Sequence, residues 1–246
     1  MNKNNEIRVA ITGFGGLDNS EPGTAVARAL KSGWEGKISI DALGYDPWMT
    51  GAFSPGLIDN IHILPPLADG DHAILERIIE INKKRKFHAI ISTLELEIAV
   101  LSRLEERLKS RGIKILVPSN EHINMVTKTS LPYFCYRNKI PTPITLHVPN
   151  VNDIPFHANQ FTYPIMVKGV VASAQKVDNW SDALFYARKF NSRWGGGAIL
   201  QEKIEGEEFD VSIVARNNES CASILAMKKL GINQKGKGVI GSPVND

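Results

Sequence analysis

Lys168 ends an apolar run, Ile165-Met166-Val167, that follows Tyr163-Pro164, and the small residues Ala172-Ser173-Ala174 stand close behind it. A lysine at a strand end beside a pliable loop suits phosphate oxygens, because its ammonium is a compact cation. Small side chains, Ser173 among them, let backbone N–H groups approach the same oxygens. Further along, Gln201-Glu202-Lys203-Ile204 reads as a strand running into a turn ahead of Gly206. A strand that ends this way leaves one C=O and one N–H unpaired two residues apart, the complement of the N6 amine and N1 of adenine. Glu208, just past the glycine, suits ribose hydroxyls, and Lys128 supplies a second cation for phosphate. Lys168 taken alone is explained as well by a lysine leaving the core at a strand end. Two lysines, a hinge and an acid in this order point to a nucleotide.

The elements that must hold these residues fall into two patterns. Ile7 to Thr12, Lys37 to Leu43, Ala89 to Thr93 and Lys114 to Val117 read as short buried strands. Helices are expected over 24–30, 71–84 and 98–110, the second with Ile74, Leu75, Ile78, Ile79 and Ile81 on or near one face. The stretch from Tyr45 to Pro66 reads as irregular around a short apolar piece, Ile61 to Leu64. Strands alternating with helices imply a doubly wound α/β domain with a parallel sheet over residues 1–118. Ser119 is placed to cap a linking helix, a second helical stretch follows from Thr129, and Ile140-Pro141-Thr142-Pro143 then breaks the pattern. Beyond it a lysine-ending strand, a helix near 181–190, the turn Gly195-Gly196-Gly197, and strands near 198–204, 208–216 and 221–228 imply an antiparallel α+β arrangement. The divisions expected are linking helices over 119–140, a lysine-strand and hinge subdomain over 141–216, and the start of a large sheet over 217–246.

The ordered set Lys128, Ile140-Pro141-Thr142-Pro143, Tyr163 to Lys168 and Gln201 to Asp210 resembles the ATP-grasp proteins. The branch most alike is that of carbamoyl phosphate synthetase and biotin carboxylase. Met227 to Lys237 is similar to a basic segment in uncharacterised ATP-grasp proteins. The resemblance covers the whole chain as the first part of such a protein. It implies an α/β domain that precedes an incomplete ATP-grasp domain, ATP and Mg²⁺ as cofactors, and phosphate contacts from Lys128 and Lys168. It also implies adenine held by the backbones of Glu202 and Ile204, with Ser173 and Lys203 among the nucleotide contacts and Glu208 on ribose. The activity implied is ligation of a small carboxylate to an amine or thiol through an acyl phosphate. Two departures stand out. The loop after Lys168, Gly169-Val170-Val171-Ala172-Ser173-Ala174-Gln175-Lys176, is not glycine-rich, and the Glu and Glu-x-Asn metal ligands of the family are expected beyond Asp246. No catalytic or metal-binding residue is assigned within the chain itself. A homodimer, or a second chain completing the sheet, is the macromolecular partner expected.

Other features bound the function. The 246 residues carry 29 basic and 26 acidic side chains, a net charge of +3, too mild and too evenly spread for nucleic acid as a partner. Lys83-Lys84-Arg85-Lys86 sits at a helix end, where cations complement the dipole. Met1 to Asn5 is polar and leads straight into a strand, so no signal peptide is read there, and no apolar run is long enough to span a membrane. With Cys135 and Cys221 in no metal or redox spacing, a cytoplasmic protein with reduced thiols is expected. The six histidines show no ligand spacing. Gly13-Phe14-Gly15-Gly16 stands where a dinucleotide fingerprint would, but Asp18 occupies the place of its third glycine and Asp41 falls near the middle of the second strand. Asp18, Glu21, Glu95 and Glu97 lie at expected carboxyl ends of strands, where substrate sites and helix caps both occur. Trp194 is expected to anchor the glycine turn. Beside the ligase, a non-catalytic nucleotide-binding module and, more distantly, a dinucleotide-binding oxidoreductase remain open.

Overall fold

The computed structural model describes residues 6–15, 21–216, 220–232 and 238–244. Met1 to Asn5, Gly16, Asp18, Asn233 to Lys237 and Asp246, all used in the sequence reading, lie outside the described residues. The chain forms two compact units, Met1–Asn124 and Met125–Asp246.

In the first unit, β1 (Ile7–Ile11), β2 (Ile38–Gly44), β3 (Asn60–Ile63), β4 (Ala89–Ile91) and β5 (Lys114–Ile115) form a sheet in the order β3-β2-β1-β4-β5. Every neighbouring pair is parallel. Between the strands run α1 (Pro22–Gly33), α2 (Gly70–Arg85) and α3 (Glu95–Lys109), and α4 (Asn120–Met125) follows β5. Because side chains alternate across a strand, Val9 and Ile11 pack with Ile40, Ala42 and Ala27 on one face. Ala10 and Leu43 join Ile74, Ile78, Leu101 and Leu104 on the other. Covering both faces is what an all-parallel sheet requires, and burying these aliphatic side chains is its main driving force. The region read as irregular is only partly so: Ile61 to Ile63 pairs with β2, and Thr50–Phe53 is a 3-10 turn.

The sheet also encloses charge. Asp41, with a fully buried side chain, accepts from Arg85 Nε at 2.7 Å and Nη2 at 2.9 Å, and His62 Nε2 lies 2.7 Å away. At the carboxyl end of the strands, Glu97 Oε2 accepts from Thr12 Oγ1 at 2.6 Å and Ser92 Oγ at 2.7 Å. Only 2% of Glu97 is exposed, so it is a core residue tying the ends of β1 and β4 together and not the lining of a substrate site. Burial pushes its pKa up, against the pull of those donors. The glycine turn after β1 has a packing reason: Gly13 has φ +82°, and a Cβ there would lie 2.0 Å from Thr93 Oγ1.

The second unit holds α5 (Leu131–Arg137), β6 (Thr145–Val148), α6 (Ile154–Ala158), β7 (Ile165–Gly169), β8 (Ala174–Val177), α7 (Trp180–Trp194) and β9 (Ala198–Glu202). Its strands form an antiparallel sheet in the order β6-β9-β7-β8. The strands β6 and β8 were not foreseen, being too short to show a period. Asn179 caps α7 by accepting from Asp182 N at 2.8 Å, and Gly195, at φ +67°, stops it, four residues beyond the expected end. Ile165, Val167, Ala198 and Leu200 pack on α6 and α7 through Ile154, Ala183, Ala187 and Phe190. Lys168 and Gln201 therefore belong to the opposite face. A separate antiparallel sheet comprises β10 (Phe209–Ala215), β11 (Cys221–Ile232) and β12 (Gly238–Pro243).

Candidate functional site

The antiparallel arrangement delivers Lys168 to the penultimate position of β7 and reverses the chain at once, through Gly169 to Ser173, into β8. The reversal is tight. A Cβ on Gly169 would lie 2.4 Å from Ala172 O, and Ser173 takes a left-handed φ of 80°, a conformation glycine adopts more readily. Ser173 O accepts from Gly169 N at 3.1 Å, and its Oγ accepts from Trp194 Nε1 at 3.4 Å. Trp194 thus steadies this loop rather than only the glycine turn that follows it.

Lys128 lies in the turn between α4 and α5, and its Nζ donates to Val171 O at 2.6 Å. The cations expected to meet phosphate, 40 residues apart in sequence, are therefore brought to one loop. Burial holds the Lys168 pKa below its ordinary value, the Lys128 charge lowers it further, and Glu208 pulls the other way. Two lysines and the Glu208 carboxylate thus act on one another at this place.

Glu202 N donates to Ile144 O at 2.8 Å, but Ile144 N turns to the Glu202 side chain, meeting Oε2 at 3.1 Å instead of the backbone carbonyl. Among the described residues, the Glu202 carbonyl and the Ile204 N–H make no turn or loop hydrogen bond. Lys203 is ion-paired with Glu205. Glu208 meets Lys229 Nζ at 2.5 Å, and Lys229 also lies 3.3 Å from Asp210. The sequence reading missed Lys229 as the partner of Glu208. It also missed Gln201 as the partner of Lys168: Lys168 Nζ donates to Gln201 Oε1 at 2.5 Å. The alternation of β7 and β9 was the signal available, since it puts both side chains on one face.

Whole-chain structural similarity follows this arrangement. A biotin carboxylase from Campylobacter jejuni, in complex with beta-gamma-ATP, matches 96% of the chain with a TM-score of 0.67 at 15% identity. The match spans 54% of that enzyme. The chain has the ATP-grasp fold. An L-amino acid ligase from Bacillus licheniformis covers 92% of this chain with a TM-score of 0.64 at 14% identity, over 51% of its own length. A D-alanine–D-alanine ligase from Bacillus anthracis, complexed with ATP, covers 98% with a TM-score of 0.57 at 13% identity, over 72% of its length. The chain thus spans about half the length of the first two of these ATP-grasp structures. No protein-family model and no curated protein sequence matches it. No helix among the described residues is long and apolar enough to cross a membrane.

Proposed function

We propose that this chain is the nucleotide-binding part of an ATP-dependent ligase that joins a small carboxylate to an amine or thiol. The observation that carries the reading is the meeting of Lys128 and Lys168 at the Gly169–Ser173 loop, beside a strand end where the Ile144 N–H meets the Glu202 side chain and not its backbone carbonyl. In this reading Lys128 and Lys168 hold phosphate oxygens and Glu202 and Ile204 read the adenine edge. Ser173 lies under the phosphates, Lys203 flanks the hinge, and Glu208, held by Lys229, receives ribose. The reaction begins with a carboxylate oxygen attacking the γ-phosphorus as ADP leaves. The amine or thiol then attacks the acyl carbon, and phosphate departs as the nucleophile loses its proton. Most of the protein's work in such chemistry is positioning and charge neutralisation.

Mg²⁺ would supply neutralisation of the phosphate charge in such a reaction, and among the described residues no group of three or more His, Cys, Asp or Glu side chains could hold it. No step is therefore assigned to metal ligands of these residues. The complete activity is proposed for the assembly in which the chain works, since the chain spans about half of the ligase and carboxylase structures it resembles. A homodimer or a second chain is the proposed companion, and the cytoplasm the proposed compartment.

Thermal unfolding with and without Mg·ATP tests the reading. Ligand at about a hundredfold its Kd adds roughly 2.7 kcal/mol, which raises the midpoint by several degrees in a chain of this size. The rise is expected in the parent and lost in Lys168→Ala. A rise with NADH and none with ATP would overturn the proposal in favour of a dinucleotide site at the Gly13 turn.

A further inference from the structure

We propose that Gln201, backed by Thr145, is a positioning residue that aims the Lys168 ammonium at the phosphates of the bound nucleotide; this rests on the nucleotide reading above. Three adjacent strands supply the parts. Thr145 of β6 stands directly opposite Gln201 of β9, and Gln201 stands opposite Met166 of β7. Lys168 is two residues beyond Met166, on the same face and diagonal to Gln201. The hydrogen bonds run in one direction across the sheet. Lys168 Nζ donates to Gln201 Oε1 at 2.5 Å, Gln201 Nε2 donates to Thr145 Oγ1 at 2.8 Å, and Thr145 Oγ1 donates to Pro143 O at 2.8 Å.

The relay has only one sense. An ammonium has no lone pair, so it takes the carbonyl end of the Gln201 amide and sends the NH2 end to Thr145. Thr145 spends its single proton on Pro143 O and receives the amide on a lone pair. An amide whose two ends are both engaged cannot turn, and it fixes the tip of a side chain that otherwise has a flexible four-carbon stem. One of the three ammonium donors is used, which leaves two for phosphate oxygens. The neutrality of the amide matters as well. A carboxylate in its place would hold the lysine more firmly but cancel the charge that phosphate is to meet. Gln201 therefore orients the cation without neutralising it.

The test uses the full chain with isotopically labelled lysine and the variants Gln201→Leu, Gln201→Glu and Thr145→Val. The last keeps the side-chain shape, so one informative variant remains if Gln201→Leu folds poorly. Titration of Lys168 by NMR reads the contact without any nucleotide. Its pKa is expected to fall in Gln201→Leu, where the acceptor is lost, and to rise in Gln201→Glu. Calorimetry with Mg·ATP is expected to show binding weakened about tenfold in Gln201→Leu, also weakened in Gln201→Glu, and weakened least in Thr145→Val. Adenosine, which has no phosphates, is expected to bind parent and variants alike. A Lys168 pKa indifferent to Gln201 would overturn the proposal, and so would equal losses for ATP and adenosine, which would mark Gln201 as part of the hinge alone. If the pKa responds as expected but neither ATP nor adenosine binds the parent, the nucleotide reading fails and the proposed role falls with it, while the relay itself stands.

Discussion

Asp41 in the first unit and Lys168 in the second are both ionic groups on sheet faces, and their surroundings differ in kind. Asp41 is wholly buried and is met by both forks of Arg85, by His62, and by Asn60 Nδ2 at 3.2 Å. Its lone pairs are answered from within the unit, so it has no capacity left for a ligand. Lys168 is partly buried, has one neutral acceptor in Gln201, and shares its neighbourhood with a second cation. One charge is compensated inside the fold; the other is held at a cost and aimed outward. In the proposed reading, the difference separates a polar residue that specifies a core from one kept for binding.

The largest effect expected from breaking this contrast is at Asp41. Asp41→Ala leaves the Arg85 guanidinium beside a buried gap, and urea denaturation should show a loss of about 3–5 kcal/mol. Nucleotide affinity of the folded protein should be unchanged.

Lys168→Met should do the reverse. It removes the roughly 2.7 kcal/mol that saturating Mg·ATP adds, yet leaves the ligand-free midpoint level or higher. The sign follows from the lowered pKa: the unfolded chain binds the Lys168 proton more tightly, so the charged side chain opposes folding at neutral pH. That opposition fades as pH rises through the folded value toward 10.5. A clear fall in the ligand-free midpoint would mean that Lys168 serves the fold as Asp41 does.

Glu97 sharpens the comparison from inside the first unit. Its pKa is raised above the ordinary 4.5, so its favourable contribution is complete below that value and is lost as pH rises through the folded value. Glu97→Gln should cost about 1 kcal/mol at pH 4, since Glu97 Oε1 already lacks a partner and the amide brings another donor there. The gap should narrow steadily as pH rises, because only the parent loses stability. Stability curves at several pH values would read this, and parallel curves would refute it.

The smallest effect is at the surface of the same unit, where Arg103 forks onto Asp71 at 2.6 and 2.7 Å. Both side chains are substantially exposed, so solvent and salt screen the pair. Arg103→Ala should cost under about 1 kcal/mol, less at high salt. A larger loss would place that pair with Asp41.

Much of the first unit was legible in the chain because its cues are local. The apolar strands at Val9 to Ile11 and Ile40 to Leu43 and the helical stripe at Ile74, Ile78 and Ile81 each declare their period within one element. The sheet-edge strand β3 was hidden among prolines, and β6 and β8 were too short to display alternation. At the candidate site, the position of Lys168 at a strand end and the turn after Glu202 were written in residue order. Their immediate neighbours were not.

Residue types and their spacing by themselves determined that a parallel α/β unit precedes an antiparallel one, that Lys168 lies at the end of a strand, and that the strand holding Gln201 stops at Glu202. These rest on interactions between residues a few positions apart. Only the tertiary structure decided that Lys128 reaches the Val171 carbonyl, that Lys229 holds Glu208, that Glu97 is swallowed by the core, and that Gln201 stands between Thr145 and Lys168. Thr145 and Gln201 are 56 residues apart, and Lys168 and Gln201 are 33 apart. Strand order and register, which no local pattern encodes, are what bring them together.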